Sequence, residues 1–137
     1  MINFTSKPRY DLSDLIRLVH VLRAPGGCPW DAAQTHLSIR RNFLEEAYEA
    51  CEALDCDDAA MLREELGDVL FAAVRVASTL ERDPEQALHA ACEKFIRRFT
   101  AMEQTALAEG RPLETLSKDE LLAGWNAQKR VVPGGEQ

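Results

Sequence analysis

Strand signals are almost missing from this 137-residue chain. No run of β-branched residues alternates with period two, and neither Asn-Gly nor Asp-Gly is present to turn a hairpin. A β-rich fold is therefore not expected. Apolar runs are short as well. None approaches the roughly 20 residues that cross a bilayer. The stretch Met1–Tyr10 is polar, contains Pro8 and lacks the apolar core of a signal peptide, so a cytoplasmic location with no membrane partner is expected. Positive charge is scarce: 16 Lys and Arg against 23 Asp and Glu leave a net charge of −7. That balance disfavours binding to a nucleic-acid polymer or an anionic membrane. A small anionic ligand stays open, because a bound cation inverts the local field. The four cysteines, at 28, 51, 56 and 92, form no Cys-x-x-Cys pair, which favours free thiols over disulfides or a zinc site. Neither a P-loop nor a His-Glu-x-x-His metalloprotease motif occurs, and Gly26-Gly27 is followed by no Gly-Lys-Ser/Thr.

What is present is helical periodicity in an ordinary soluble composition, 46% hydrophobic and 28% charged. The length suits one domain. We read an N-terminal extension over 1–10, a single domain over 11–130 and a flexible tail over 131–137. Five helices are predicted. The first runs from a cap at Asp11 to Arg23, with Leu12, Leu15, Ile16, Val19 and Leu22 on one face. A Gly/Pro-rich loop from Ala24 to Thr35 follows. The second helix covers about Ser38 to Leu54 and the third about Ala59 to Leu80, joined by a short acidic turn. Asp83-Pro84 opens the fourth, which ends near Gly110. Ser117 with Glu120 forms a capping box that opens the fifth, ending near Arg130. The third helix carries a stripe of Leu62, Leu66, Val69, Ala73, Val76 and Leu80, widened by Leu70, Phe71, Val74 and Ala77. Such a helix belongs at the centre of a bundle or against a second subunit.

The carboxylates of the second and third helices form a constellation. Phe43, Ala47, Ala50 and Leu54 define the apolar stripe of the second helix. Glu46 and Glu49 then flank it on one side, at about 80° and 140°, while Glu45 and Glu52 point outward. On the third helix Glu65 and Asp68 flank the stripe on the same hand, at about 60° and 120°, and Glu64 points away. A short turn makes the two helices antiparallel, which brings equal-handed flanks to one side of the pair. Heights agree too, since Glu49 and Glu65 are equally distant from Asp57, as are Glu46 and Asp68. All four carboxylates are expected to converge. At about 4 Å two like charges repel by roughly 4 kcal/mol at an effective dielectric near 20. A divalent cation relieves that cost, and oxygen-only donors suit Mg²⁺, with Mn²⁺ as a substitute. A solvated acidic face is the plainer alternative.

At these residues a family resemblance emerges. Glu45-Glu46-Ala47-Tyr48-Glu49 followed by Glu65-Leu66-Gly67-Asp68 resembles the EExxE…ExxD signature of the MazG-like nucleoside triphosphate pyrophosphohydrolases. Gly27-Cys28-Pro29-Trp30-Asp31 with Gln34-Thr35 is similar to the GCPWDxxQT segment of the same proteins. The likeness covers about Asp11 to Arg130 and a single MazG domain. It implies an all-α bundle of about five helices around a central antiparallel carboxylate-bearing hairpin, dimerising through helices into a homodimer or a higher homo-oligomer. It also implies Glu46, Glu49, Glu65 and Asp68 as metal ligands, with Glu45 outside them. The implied activity is hydrolysis of a nucleoside triphosphate to monophosphate and pyrophosphate, as house-cleaning of the nucleotide pool. Lys94 and Arg98, at i and i+4 on the fourth helix, match a Lys and Arg that contact the triphosphate there, with Arg97 a neighbour. Trp125 and Lys129 match a pair lining the nucleotide site. Where many MazG domains read Arg-His-Pro-His-Val-Phe, this chain reads Arg97-Arg98-Phe99-Thr100-Ala101-Met102.

In the loop, Trp30 offers a face on which a base stacks, and Gln34 an amide that reads base or sugar edges. A plug over the end of the bundle is the other role open to Trp30, and a place in the core the other role open to Trp125. Two rival functions remain. A ferritin-like di-iron site wants Glu-x-x-His on two helices, a spacing that His20, His36 and His89 do not supply. A non-catalytic nucleotide-binding or helical interaction module uses the same surface without turnover.

Overall fold

The computed structural model describes residues 2 and 4–131. Among them there is no strand, and six α-helices account for most of the chain. Two compact units are distinguished, Met1–Pro84 and Glu85–Gln137.

In the first unit, α1 (Leu12–Arg23) starts at a capping box in which the Asp11 side chain accepts from the Asp14 backbone and Asp14 returns the bond. Lys7 and Arg17 both pair with Asp14, and these hydrogen bonds hold its carboxyl far below the usual range. The loop after α1 contains a helix absent from the sequence expectation, α2 (Pro29–Ala32). Four residues inside a Gly/Pro run show no periodicity, but Pro29 at its first position presets the backbone. The glycines before it are both required. Gly26 has φ +82°, and a Cβ on Gly27 would collide with the carbonyl oxygens of Val21, Leu22 and Ala24. That close approach lets the Cys28 N–H donate to Leu22 at 2.7 Å and fold the loop back on α1.

α3 (His36–Asp55) opens at a Thr35–Ser38 capping box. α4 (Ala59–Thr79) is capped by Asp58, whose carboxylate accepts from the Ala60 and Met61 N–H groups. Asp57 takes a left-handed φ of 53° between them and closes the hairpin. α4 packs against α3 and also against α1. The buried side chains of this unit are Val19, Asp31, Ile39, Ala50, Ala53, Ala72 and Val74. Ala50, Ala53 and Ala72 are small, so α3 and α4 can approach closely.

The packed faces differ from the expected stripes. On α3 the face is Ile39, Ala50 and Ala53, with Glu46 on the same side by spacing; Leu54 is 60% exposed. The packed face is thus turned by about one residue from the expected stripe, because the small Ala50 and Ala53 face α4. On α4, Ala72 and Val74 are buried, while Leu66, Ala73 and Leu80 of the expected stripe are exposed.

The second unit holds α5 (Pro84–Ala108), a 3₁₀ turn (Leu113–Thr115) and α6 (Lys118–Val131). Gly110, at φ +69°, ends the turn after α5. The expected capping box is present, with Ser117 N–H donating to Glu120 at 2.9 Å and Glu120 N–H to Ser117 Oγ at 3.3 Å. Arg111 also pairs with Glu120 and, together with Ser117, lowers its pKa to about 2. Met102 and Ala106 are buried, with Gly124 of α6 against Met102. α6 extends to Val131; the rest of the expected tail, 132–137, lies outside the described residues.

Candidate metal centre and substrate site

The α3–α4 hairpin brings Glu46, Glu49 and Glu65 together, with one oxygen from each lying within 4.8 Å of the others. Glu46 and Glu65 are half-buried and Glu49 is exposed. Asp68 follows Glu65 by one turn of α4 and is exposed. Burial and the charges of Glu49, Asp68, Glu64 and Glu46 raise the Glu65 pKa above the ordinary carboxylate value. Glu45 points elsewhere and pairs with Arg41 at 2.9 Å.

One contributor escaped the sequence reading. Asn42 Nδ2 donates to Glu46 Oε1 at 3.0 Å and fixes that carboxylate. Its own Oδ1 is buried and has no hydrogen-bond partner among the described residues. The signal was available, since Asn42 and Glu46 are i and i+4 on one helix.

Beside the carboxylates, Trp30, Gln34, Ser38, Arg41, Asn42 and Glu45 line an open cleft of about 230 Å³. Trp30 is 50% exposed. Gln34 is engaged locally: its Nε2 donates to the Trp30 carbonyl at 2.8 Å and its Oε1 accepts from Ser38 at 2.7 Å. The amide thereby ties α2 to the start of α3.

Lys94, Arg97, Arg98, Trp125 and Lys129 lie in the second unit. Lys94 and Arg98 are half-buried on α5, and Arg97 is exposed. Trp125 of α6 is half-buried and tilts against Phe95, with ring centroids 5.2 Å apart. Lys129 is exposed one turn further along α6.

Residues 34–102 match the MazG nucleotide pyrophosphohydrolase domain. The chain belongs to the MazG family. The matched segment contains Gln34, all four acidic residues and the basic residues of α5, and leaves Trp30, Trp125 and Lys129 outside. The MazG chain is 30% identical over 126 residues to the Bacillus subtilis protein YabN, covering 89% of this chain and 24% of that protein. It is 36% identical over 125 residues to the nucleoside triphosphate pyrophosphohydrolase of Mycolicibacterium smegmatis, covering 90% and 37%. Over 89 residues it is 42% identical to the Thermotoga maritima nucleoside triphosphate pyrophosphohydrolase/pyrophosphatase MazG, covering 62% and 35%. The chain thus spans between a quarter and two fifths of the length of these relatives. Among the described residues no helix is long and apolar enough to cross a membrane.

Proposed function

We propose that this chain hydrolyses nucleoside triphosphates between the α and β phosphorus, giving a nucleoside monophosphate and pyrophosphate. The observation that carries the reading is the meeting of the Glu46, Glu49 and Glu65 oxygens within 4.8 Å in a MazG domain. The donors are carboxylate oxygens only, which fits Mg²⁺, with Mn²⁺ as a substitute. The raised Glu65 pKa fits as well, since it reflects burial first and then repulsion from Glu49, Asp68, Glu64 and Glu46, and a bound dication offsets both. Glu46, Glu49, Glu65 and Asp68 would hold the ion. Bound there, it supplies charge neutralisation to the phosphates and a more acidic water. Asn42 keeps Glu46 in one orientation. Lys94, Arg98 and Lys129, with Arg97 beside them, are assigned to the phosphates and the leaving pyrophosphate, whose charge they stabilise. Trp30 and Trp125 are assigned to the base, and Gln34 to a base or sugar edge.

The wider reading is a cytoplasmic house-cleaning enzyme of the nucleotide pool, with residues 11–130 acting as one domain. A homodimer through helices is supported by the exposure of Leu66 and Leu70 on α4, 50% and 61%. The test is pyrophosphate release from a panel of ribo- and deoxyribonucleoside triphosphates, with Mg²⁺ or with EDTA, for wild type and Glu49→Gln. Metal-dependent release that the variant loses by orders of magnitude is expected. Near-normal activity in Glu49→Gln would sink the site assignment. No release from any triphosphate would favour a binding module.

A further inference from the structure

Asp31 is the only fully buried polar or charged residue among the described residues, 3% exposed. Its partner comes from the middle of α4. Arg75 Nε lies 3.0 Å from Asp31 Oδ1, an ionic contact whose angle leaves Nε without a directed hydrogen bond. The same guanidinium lies over two rings, with Cζ 4.5 Å from the Phe71 centroid and 5.3 Å from that of Trp30. A second arginine holds the backbone: Arg23 Nη1 donates to the Asp31 carbonyl and, at 3.2 Å, to Thr79 Oγ1. Arg75 is therefore fixed by a buried anion and one ring while it supports another. The supported ring, Trp30, is half exposed and lines the cleft beside Asn42.

We propose that Arg75 is a positioning residue whose guanidinium clamps the Trp30 indole as a preformed platform for the base of a nucleoside triphosphate. This rests on the triphosphate-hydrolase reading. An unsupported tryptophan on a four-residue helix samples several rotamers, and ordering it would subtract from binding. A planar cation behind the ring removes that cost, and lysine cannot replace it, since an ammonium pairs with Asp31 but offers no plane. The clamp acts on the base and leaves the phosphates to other residues. Its signature is therefore in KM, and only for substrates that carry a base.

The experiment compares pyrophosphate release from ATP and from ribose 5-triphosphate, which has no base, in wild type and Arg75→Lys. The variant should raise KM for ATP about three- to tenfold with kcat held within about twofold, and leave both constants for ribose 5-triphosphate unchanged. An equal effect on both substrates, or a fall in kcat alone, overturns the proposal. Should Arg75→Lys fail to fold, Asp31→Asn/Arg75→Gln removes the pair without stranding a buried charge, and the same split is expected. A second readout does not need turnover. In a Trp125→Phe background Trp30 is the sole tryptophan. There Arg75→Lys should increase acrylamide quenching of Trp30 and weaken its quenching by ATP. Unchanged quenching overturns the clamp even in an active enzyme. ATP-dependent quenching in the Trp125→Phe protein that Arg75→Lys weakens, with no pyrophosphate released by wild type, removes the enzyme reading and keeps the clamp.

Discussion

The loop and the hairpin of the first unit treat carboxylates in opposite ways. Asp31 is buried, single, and matched by a guanidinium from the same chain. Glu46 and Glu65 are half-buried and Glu49 is exposed, and the three lie together, where burial and then the neighbouring carboxylates raise the Glu65 pKa. A buried anion with its own counter-ion is a fastening. Removing its partner leaves an unpaired charge out of water, so it is retained for structure. Anions massed without a counter-ion weaken the fold and make sense as a binding device for something that arrives from outside. The contrast predicts that the two kinds of carboxylate fail differently when altered.

The largest difference is in rate. Glu49→Gln should abolish metal-dependent pyrophosphate release by orders of magnitude while leaving the melting temperature of the metal-free protein unchanged or slightly higher. A variant that loses activity through unfolding would dissolve the contrast. Next comes stability. Asp31→Ala should cost about 3–5 kcal/mol, because Arg75 keeps its charge in a mostly buried place. A fall in Tm of roughly 10–17 °C in a thermal melt would match that cost. A fall no larger than that of an exposed control such as Glu52→Ala would show that Asp31 is no fastening.

A smaller effect concerns Glu65. Its folded-state pKa is raised, so the folded protein binds extra protons, and stability declines as pH climbs past the ordinary carboxylate value. Glu65→Gln should remove that decline, raise the metal-free Tm slightly at pH 7, and shrink the Tm gain on adding Mg²⁺. An unchanged Mg²⁺ gain would remove Glu65 from the ligands. The smallest effect lies in the second unit. Glu120 has a lowered pKa, so its contribution is present above the ordinary carboxylate value and fades as pH falls toward about 2. Acid titration of wild type and Glu120→Gln should show a small Tm gap near neutrality that closes in acid. A gap that widens in acid would reverse the sign.

Much of this was legible in the sequence. The long helices followed from period, and the starts of three of them from Asp11, Pro84 and Ser117, since caps are local chemistry. The meeting of Glu46, Glu49 and Glu65 followed from hairpin symmetry about Asp57, which needs only helix geometry. What escaped was tertiary. The rotation of α3 that puts Glu46 on the packed side with Ala50 and Ala53 depends on what α4 offers opposite. α2 shows no period because it is one turn long. The role of Arg75 needs the path of the loop, although one guanidinium among Val69, Phe71, Val74 and Val76 already calls for an anionic partner. That partner, 44 residues earlier, could not be singled out by spacing.

Gly27 has a consequence for anyone wishing to re-letter this protein. Three carbonyl oxygens of one helix end stand where a side chain would begin. Ala32 and Ala33 are exposed, and substitutions there alter what the loop shows to a visiting molecule. The crossing point at Gly27 admits no such variation. The loop is in effect an interchangeable face on a hinge pin of fixed gauge, and libraries meant to change what it recognises belong at the face.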